Sequence, residues 1–208
     1  MYKPLTILLA AALSAMAQYK IEPAGPPPGE LAPAVASLMQ KEGTRVVAAN
    51  GSPVCEVWFR AALPSGPKST EAEQTFTTLP HGSIIGAIRF PAKGSDRRGQ
   101  NIAAGVYTLR YSLQPVNGDH LGVSPQRDFA VIVPAADDKD AASTPNYDEL
   151  MPMSRKASGT PHPAILSLAG SSSEKSPEIA KEGDHDWVLH VKVGNSTLAL
   201  TVIGKVEG

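Results

Sequence analysis

Two eight-residue segments near the C-terminus, Asp186–Val193 and Ser196–Ile203, are separated by only Gly194 and Asn195. Both are rich in β-branched and apolar residues, which suit a pleated surface. A two-residue link is too short for a parallel crossover, so the pair can only be an antiparallel hairpin, and Gly-Asn supplies the positive φ of a primed turn. The same vocabulary recurs upstream. Residues 45–49 and 54–60 flank Asn50-Gly51, which predicts a second hairpin with a type I′ turn. Residues 83–90 read as a further strand. Across 106–113, Tyr107, Leu109, Tyr111 and Leu113 alternate with Val106, Thr108, Arg110 and Ser112. The first set marks a buried face and the second an outer one. Residues 128–133 form a continuous apolar strand ended by Pro134, and 163–169 offer a short one.

Helical signals are sparse. Leu31, Val35, Leu38 and Met39 make one apolar helical face over 30–42, closed by Gly43. Asn146 and Glu149 have capping-box spacing ahead of a helix over 147–157, with Pro152 in its middle. Seven or eight strands and two short helices predict a mostly β fold. The expected architecture is a two-sheet β-sandwich of immunoglobulin-like or jelly-roll type with peripheral helices, and a closed barrel is the alternative.

Residues 1–17 carry Lys3, then an apolar run, then Ala15-Met16-Ala17, the pattern of a signal peptide cleaved after Ala17. Residues 18–30, with Pro23 and Pro26-Pro27-Pro28-Gly29, read as an extended tether. Residues 31–208 are then one domain with a loop-rich insertion at about 136–182, a length that folds without staples. Cys55 is the only cysteine, so no intrachain disulfide can form, and its alternation with Val57 and Phe59 makes it a small buried hydrophobe. An exported chain without disulfides fits a bacterial periplasm or exterior, so the expected location is secreted or periplasmic. No segment after the leader is long and apolar enough to span a bilayer. A net charge of −1 gives no electrostatic case for nucleic acid.

Chemistry-bearing residues concentrate in two places. The loop joining the strands at 106–113 and 128–133 carries Asn117, Asp119, His120, Arg127 and Asp128, and loops on a rigid β scaffold commonly bind ligands. The plain alternative is turn chemistry, Asn-Gly-Asp followed by Ser-Pro. The second cluster is Asp184-His185-Asp186 with His190, where strand alternation puts Asp186 and His190 on one face. Together with His120, the residues His185, Asp186 and His190 could hold a divalent transition metal. A ligand from another strand is needed, His81, His120 or His162, and the competing reading is a solvated turn. No G-x-S-x-G elbow, H-E-x-x-H helix, Walker loop or dinucleotide glycine pattern is present. Trp58, Tyr107, Tyr111 and Trp187 would stack on sugars if exposed, but with 5% aromatics the core claims most of them. Asn195-Ser196-Thr197 matches a glycosylation acceptor and also, more simply, a hairpin turn.

The stretch Ala104-Gly-Val-Tyr-Thr-Leu, followed by a loop and Asp128-Phe-Ala-Val-Ile-Val, resembles exported bacterial β-sandwich proteins of immunoglobulin-like or transthyretin-like type. The resemblance covers about residues 83–133 and the final hairpin. It implies a fold and a compartment and carries no catalytic residue. The expected function is that of a non-catalytic binding module without a resident cofactor, meeting a protein or glycan partner through its loop end. The alternatives are a metal protein or hydrolase built on Asp119, His120 and the cluster at 184–190, or a structural subunit of an envelope assembly.

Overall fold

A computed structural model describes residues 19–116 and 126–204. The strands are β1 (Lys20–Gly25), β2 (Gly43–Val47), β3 (Pro53–Phe59), β4 (Ile84–Phe90), β5 (Gly94–Ser95), β6 (Asn101–Ile102), β7 (Gly105–Leu113), β8 (Asp128–Pro134), β9 (Ile165–Gly170), β10 (Glu178–Glu182), β11 (Asp186–Val193) and β12 (Ser196–Ile203). The helices are α1 (Pro33–Ala36) and α2 (Tyr147–Ser158). Ten strands form one sheet in the order β1-β2-β3-β4-β7-β8-β9-β12-β11-β10, while β5 and β6 form a separate small hairpin. Every neighbouring pair is antiparallel.

The β-rich class is as expected, but two separate sheets are not seen. β9 pairs with β8 through Ile165, Leu166 and Ser167 and with β12 through Leu168, Ala169 and Gly170, so the pairing continues through it. The sheet curls until its edges, β1 and β10, approach each other, giving a nearly barrel-shaped body. Its interior is filled by alternate residues of successive strands, among them Cys55, Val57, Ile88, Leu109, Ile132, Leu168, Leu189 and Leu200. Two smaller apolar clusters lie outside. α1 and its flanks bury Leu31, Val35 and Met39 on Trp58, Ile84 and Ala87. α2 buries Leu150 and Met151 on Phe129, Val131 and Ile165. The covering explains why β8 is apolar on both faces.

Several local readings change. The proline-bearing segment expected to be a tether contributes β1, an edge strand whose register shifts between Pro23 and Gly25; a missing N–H is tolerated at a sheet edge. The helix expected over 30–42 is confined to Pro33–Ala36, because the chain then leaves it to bond the end of β3, Gln40 N–H donating to Phe59 O (2.8 Å) and Ala61 N–H to Leu38 O (2.9 Å). At Asn50-Gly51 only the glycine takes a positive φ (83°), while the Asn50 side chain accepts the Ser52 N–H at 3.0 Å, so the turn is not type I′. At Gly194-Asn195 the glycine likewise has φ 59° and the asparagine is not left-handed, which is the φ pattern of a II′ turn. Residues 136–182, expected to be a loop-rich insertion, supply α2, the strand β9 inside the sheet and the edge strand β10. The helix there forms as its sequence predicts, with the reciprocal Asn146–Glu149 capping box and a left-handed Gly159 at its end.

The outer face of β7 is also not the solvated one that alternation suggests. Thr108, Arg110 and Ser112 are fully buried beneath residues 134–146. Arg110 grips Asp138 with both arms, Nε to Oδ2 at 2.7 Å and Nη2 to Oδ1 at 2.6 Å, and donates to the carbonyls of Gly82, Asp140 (3.1 Å) and Ser143 (2.8 Å). A second charge ladder crosses three strands, where Glu56 on β3 sits between Arg45 on β2 and Arg89 on β4.

Candidate functional site at the loop end

A groove of about 610 Å³ opens where β7 ends. Its walls come from residues 67–81, from Tyr111 and the chain running on to Val116, from Arg127 just before β8, and from Tyr147 at the start of α2. The segment 66–78 folds back on itself, with Gly66 N–H bonded to Thr78 O (2.8 Å) and Ser69 N–H to Thr77 O (2.7 Å). Two of the residues singled out in the sequence fasten it down. Asp128, fully buried at the first position of β8, accepts the N–H groups of Thr75 (2.8 Å) and Phe76 (3.3 Å) and the Tyr111 hydroxyl (2.7 Å). Arg127 donates to Gln114 O (2.9 Å), to Ala72 O and to the Glu71 carboxylate (3.3 Å). Burial, reinforced by the neighbouring Asp128, pushes the Tyr111 phenol well above its usual range, so it stays a neutral donor.

Gln74 donates from Nε2 to Phe76 O and to the Tyr111 hydroxyl, both at 2.9 Å. The Phe76 carbonyl can only accept, so this fixes the orientation of the amide and leaves Gln74 Oε1 without a partner. Gln114, 6% exposed, has an unpartnered Nε2 on the same groove. His81 closes one side. Its Nδ1–H donates to Pro145 O (3.2 Å), which fixes the neutral tautomer, and its Nε2 accepts from Ser112 Oγ (2.8 Å). Burial lowers its pKa. Apolar surface comes from Leu79, Leu113, Pro115 and Val116, the last 77% exposed.

Of the remaining candidates, Asn117, Asp119 and His120 lie outside the described residues. The second cluster is dispersed. Asp186 Oδ2 takes an ion pair with Arg97 Nη2 (2.7 Å) from the turn between β5 and β6, and His185 is exposed on the turn before β11. His190, nearly buried on the outer face of β11, meets Ser171 Oγ through Nδ1 (2.7 Å) and Glu182 Oε1 through Nε2 (3.0 Å). Among the described residues no group of three His, Cys, Asp or Glu side chains is arranged to hold a metal ion. His81 and His162 do not join His190; His162 is exposed beyond α2.

Sequence reading reached Arg127 and Asp128 because they cluster in a polar loop, but missed Gln74, Gln114, Ser171 and Glu182. The glutamines carry no motif, and their significance is the absence of a partner, a property of the fold alone. Ser171 and Glu182 become partners of His190 only through the register of four strands, in which His190 faces Ala199 and Ala199 faces Ala169. Trp58, Tyr107 and Tyr111 are buried, and Trp187 packs edge-on against Tyr19 at 5.0 Å. No protein-family model, curated protein or solved structure matches this chain.

Proposed function

We propose that the chain is an exported binding module that holds an extended segment of a partner protein in the loop-end groove. The observation that carries this reading is the pair of stranded amide atoms, Gln114 Nε2 and Gln74 Oε1, beside an apolar wall of Leu79, Leu113, Pro115 and Val116. A polar atom buried without a partner costs about 1–3 kcal/mol, so a ligand that satisfies it gains affinity. An extended peptide presents carbonyls and N–H groups in alternation with side chains, which suits one spare donor, one spare acceptor and an apolar strip. A sugar ring would want an exposed aromatic platform, and the Tyr111 ring is fully buried. The leader pattern at 1–17 supports a place outside the cytoplasm, and the buried Cys55 thiol asks for no partner there.

Panning a random linear-peptide phage library against the immobilised full chain tests the reading. Enriched peptides should bind wild type and lose at least ten-fold in affinity to Gln114→Leu and Val116→Asp. Failure to enrich any peptide, or equal binding by both variants, overturns it; selective signals on a glycan array in place of peptides would overturn the choice of partner.

A further inference from the structure

We propose that Ser171 is the nucleophile of an acyl-transfer site, separate from the loop-end groove, in which His190 is the base and Glu182 holds the base in its reactive tautomer. Three side chains from three parts of the sheet meet in a line. Glu182 Oε1 lies 3.0 Å from His190 Nε2, and a carboxylate can only accept, so in neutral His190 the proton sits on Nε2. The bare nitrogen is then Nδ1, 2.7 Å from Ser171 Oγ, which must donate to it. This is a hydroxyl hydrogen-bonded to a base that is itself oriented by a third group, the constellation that activates serine. The Ser173 N–H donates to Ser171 Oγ at 3.0 Å and fixes the oxygen further.

The surroundings fit the assignment. Ser171 follows the last residue of β9, and its own N–H is tied to Thr197 O (3.0 Å), so the nucleophile is mounted on the sheet. His190 is 6% exposed and can change rotamer little, whereas Ser171 is only partly covered and can be approached. Neither helix packs on this part of the outer face, since α1 covers β3 and β4 and α2 covers β8 and β9 near Ile165.

The substrate class is a carboxylic ester. Ser171 Oγ bonds to the acyl carbon while its proton passes to His190 Nδ1. The acyl carbon–oxygen bond breaks, and the leaving alkoxide takes the proton from Nδ1. Water then attacks the acyl-serine, gives one proton to Nδ1, and releases the acid as Ser171 Oγ recovers that proton. The balance is ester plus water to acid plus alcohol, with no further reactant.

The folded full chain is treated at neutral pH with a fluorophosphonate probe, and the modified peptide is located by mass spectrometry. The expected result is one adduct at Ser171, at least ten-fold slower to form in His190→Gln and unchanged in Ser172→Ala, with matching losses in p-nitrophenyl acetate hydrolysis. Glu182→Gln should slow labelling while leaving the melting temperature unchanged, as a merely structural contact would not. No adduct at Ser171 in the wild type, or an adduct forming equally fast in His190→Gln, overturns the proposal. Because the wild-type measurement decides alone, misfolding of a variant cannot rescue it. Peptide binding in the groove is measured independently, so either reading can fail without the other.

Discussion

Replacing Arg110 tests how the sheet is closed in on its outer side. Arg110→Met keeps the length of the side chain and removes its charge. Asp138, 3% exposed, would then hold a carboxylate underground with only the Thr108 hydroxyl as a close partner, and the carbonyls of Gly82, Asp140 and Ser143 would lose their donor. Breaking one side of a buried pair costs about 3–5 kcal/mol because the surviving charge is uncompensated. For a chain of this size each kcal/mol moves the melting temperature by about 2–4 °C, so the variant should melt roughly 6–20 °C lower by circular dichroism. The double variant Arg110→Met/Asp138→Leu separates the charge from the fold. It removes the stranded carboxylate but not the unmet carbonyls, so it should recover part of the loss, with a coupling of about 1–3 kcal/mol between the sites. A loss below about 1 kcal/mol for Arg110→Met, or a double variant as unstable as the sum of its singles, would refute the reasoning.

Asp128→Ala removes the acceptor of the Thr75 and Phe76 N–H groups and of the Tyr111 hydroxyl; hydrogen bonds to a charge are worth about 1.5–3 kcal/mol, so urea unfolding should lose at least about 2 kcal/mol and limited proteolysis should cut first within residues 66–78. Burial holds the His81 pKa below its ordinary 6.5, so on acidification the unfolded chain takes up the proton first and stability falls as the pH drops below about 6.5; His81→Gln should flatten that decline in melting temperature between pH 7 and 5. Burial, with the neighbouring Glu56 carboxylate, pushes the Cys55 thiol up to about 12 from 9.0, so an aromatic disulfide reagent at pH 8 should leave the folded chain unlabelled and label it stoichiometrically in denaturant.

How much of this was legible depends on whether the cause is local. The alternation across 106–113 correctly put Tyr107, Leu109 and Tyr111 inside, because a strand's period is intrinsic to its backbone. It misplaced Arg110 and Thr108, because a strap thirty residues away covers the other face, and nothing in the pattern of β7 records that cover. The Asn146 cap, written in neighbouring residues, was read correctly. The single curled sheet was not, since continuity rests on β9 changing partners midway, a matter of register between distant segments. For the same reason Arg127 and Asp128 could be marked as noteworthy from their loop, while their task of holding residues 71–76 over the end of the barrel could not.

The loop-end groove is tied directly to the core, and this favours it over the cleft beside β1 as the proposed recognition site. The Tyr111 ring packs edge-on against Phe76 at 6.2 Å inside the apolar cluster, yet its hydroxyl is shared by Gln74 and Asp128 on the groove side. Lifting residues 66–78 therefore breaks charge-assisted bonds anchored on a buried residue of the first strand position, not merely loop contacts. The cleft of about 380 Å³ between β1 and β2 on one side and Ser176, Pro177 and β11 on the other has no such footing. There Gln40 Nε2 donates to Lys192 O at 2.9 Å, and Pro23 and Pro177 offer no backbone donor along the cleft. A site whose walls are already ordered spends less of its contact energy on immobilising them when a partner arrives. The loop end combines walls held by hydrogen bonds to a buried carboxylate with unmet amide atoms, which is the combination the proposed peptide binding asks for.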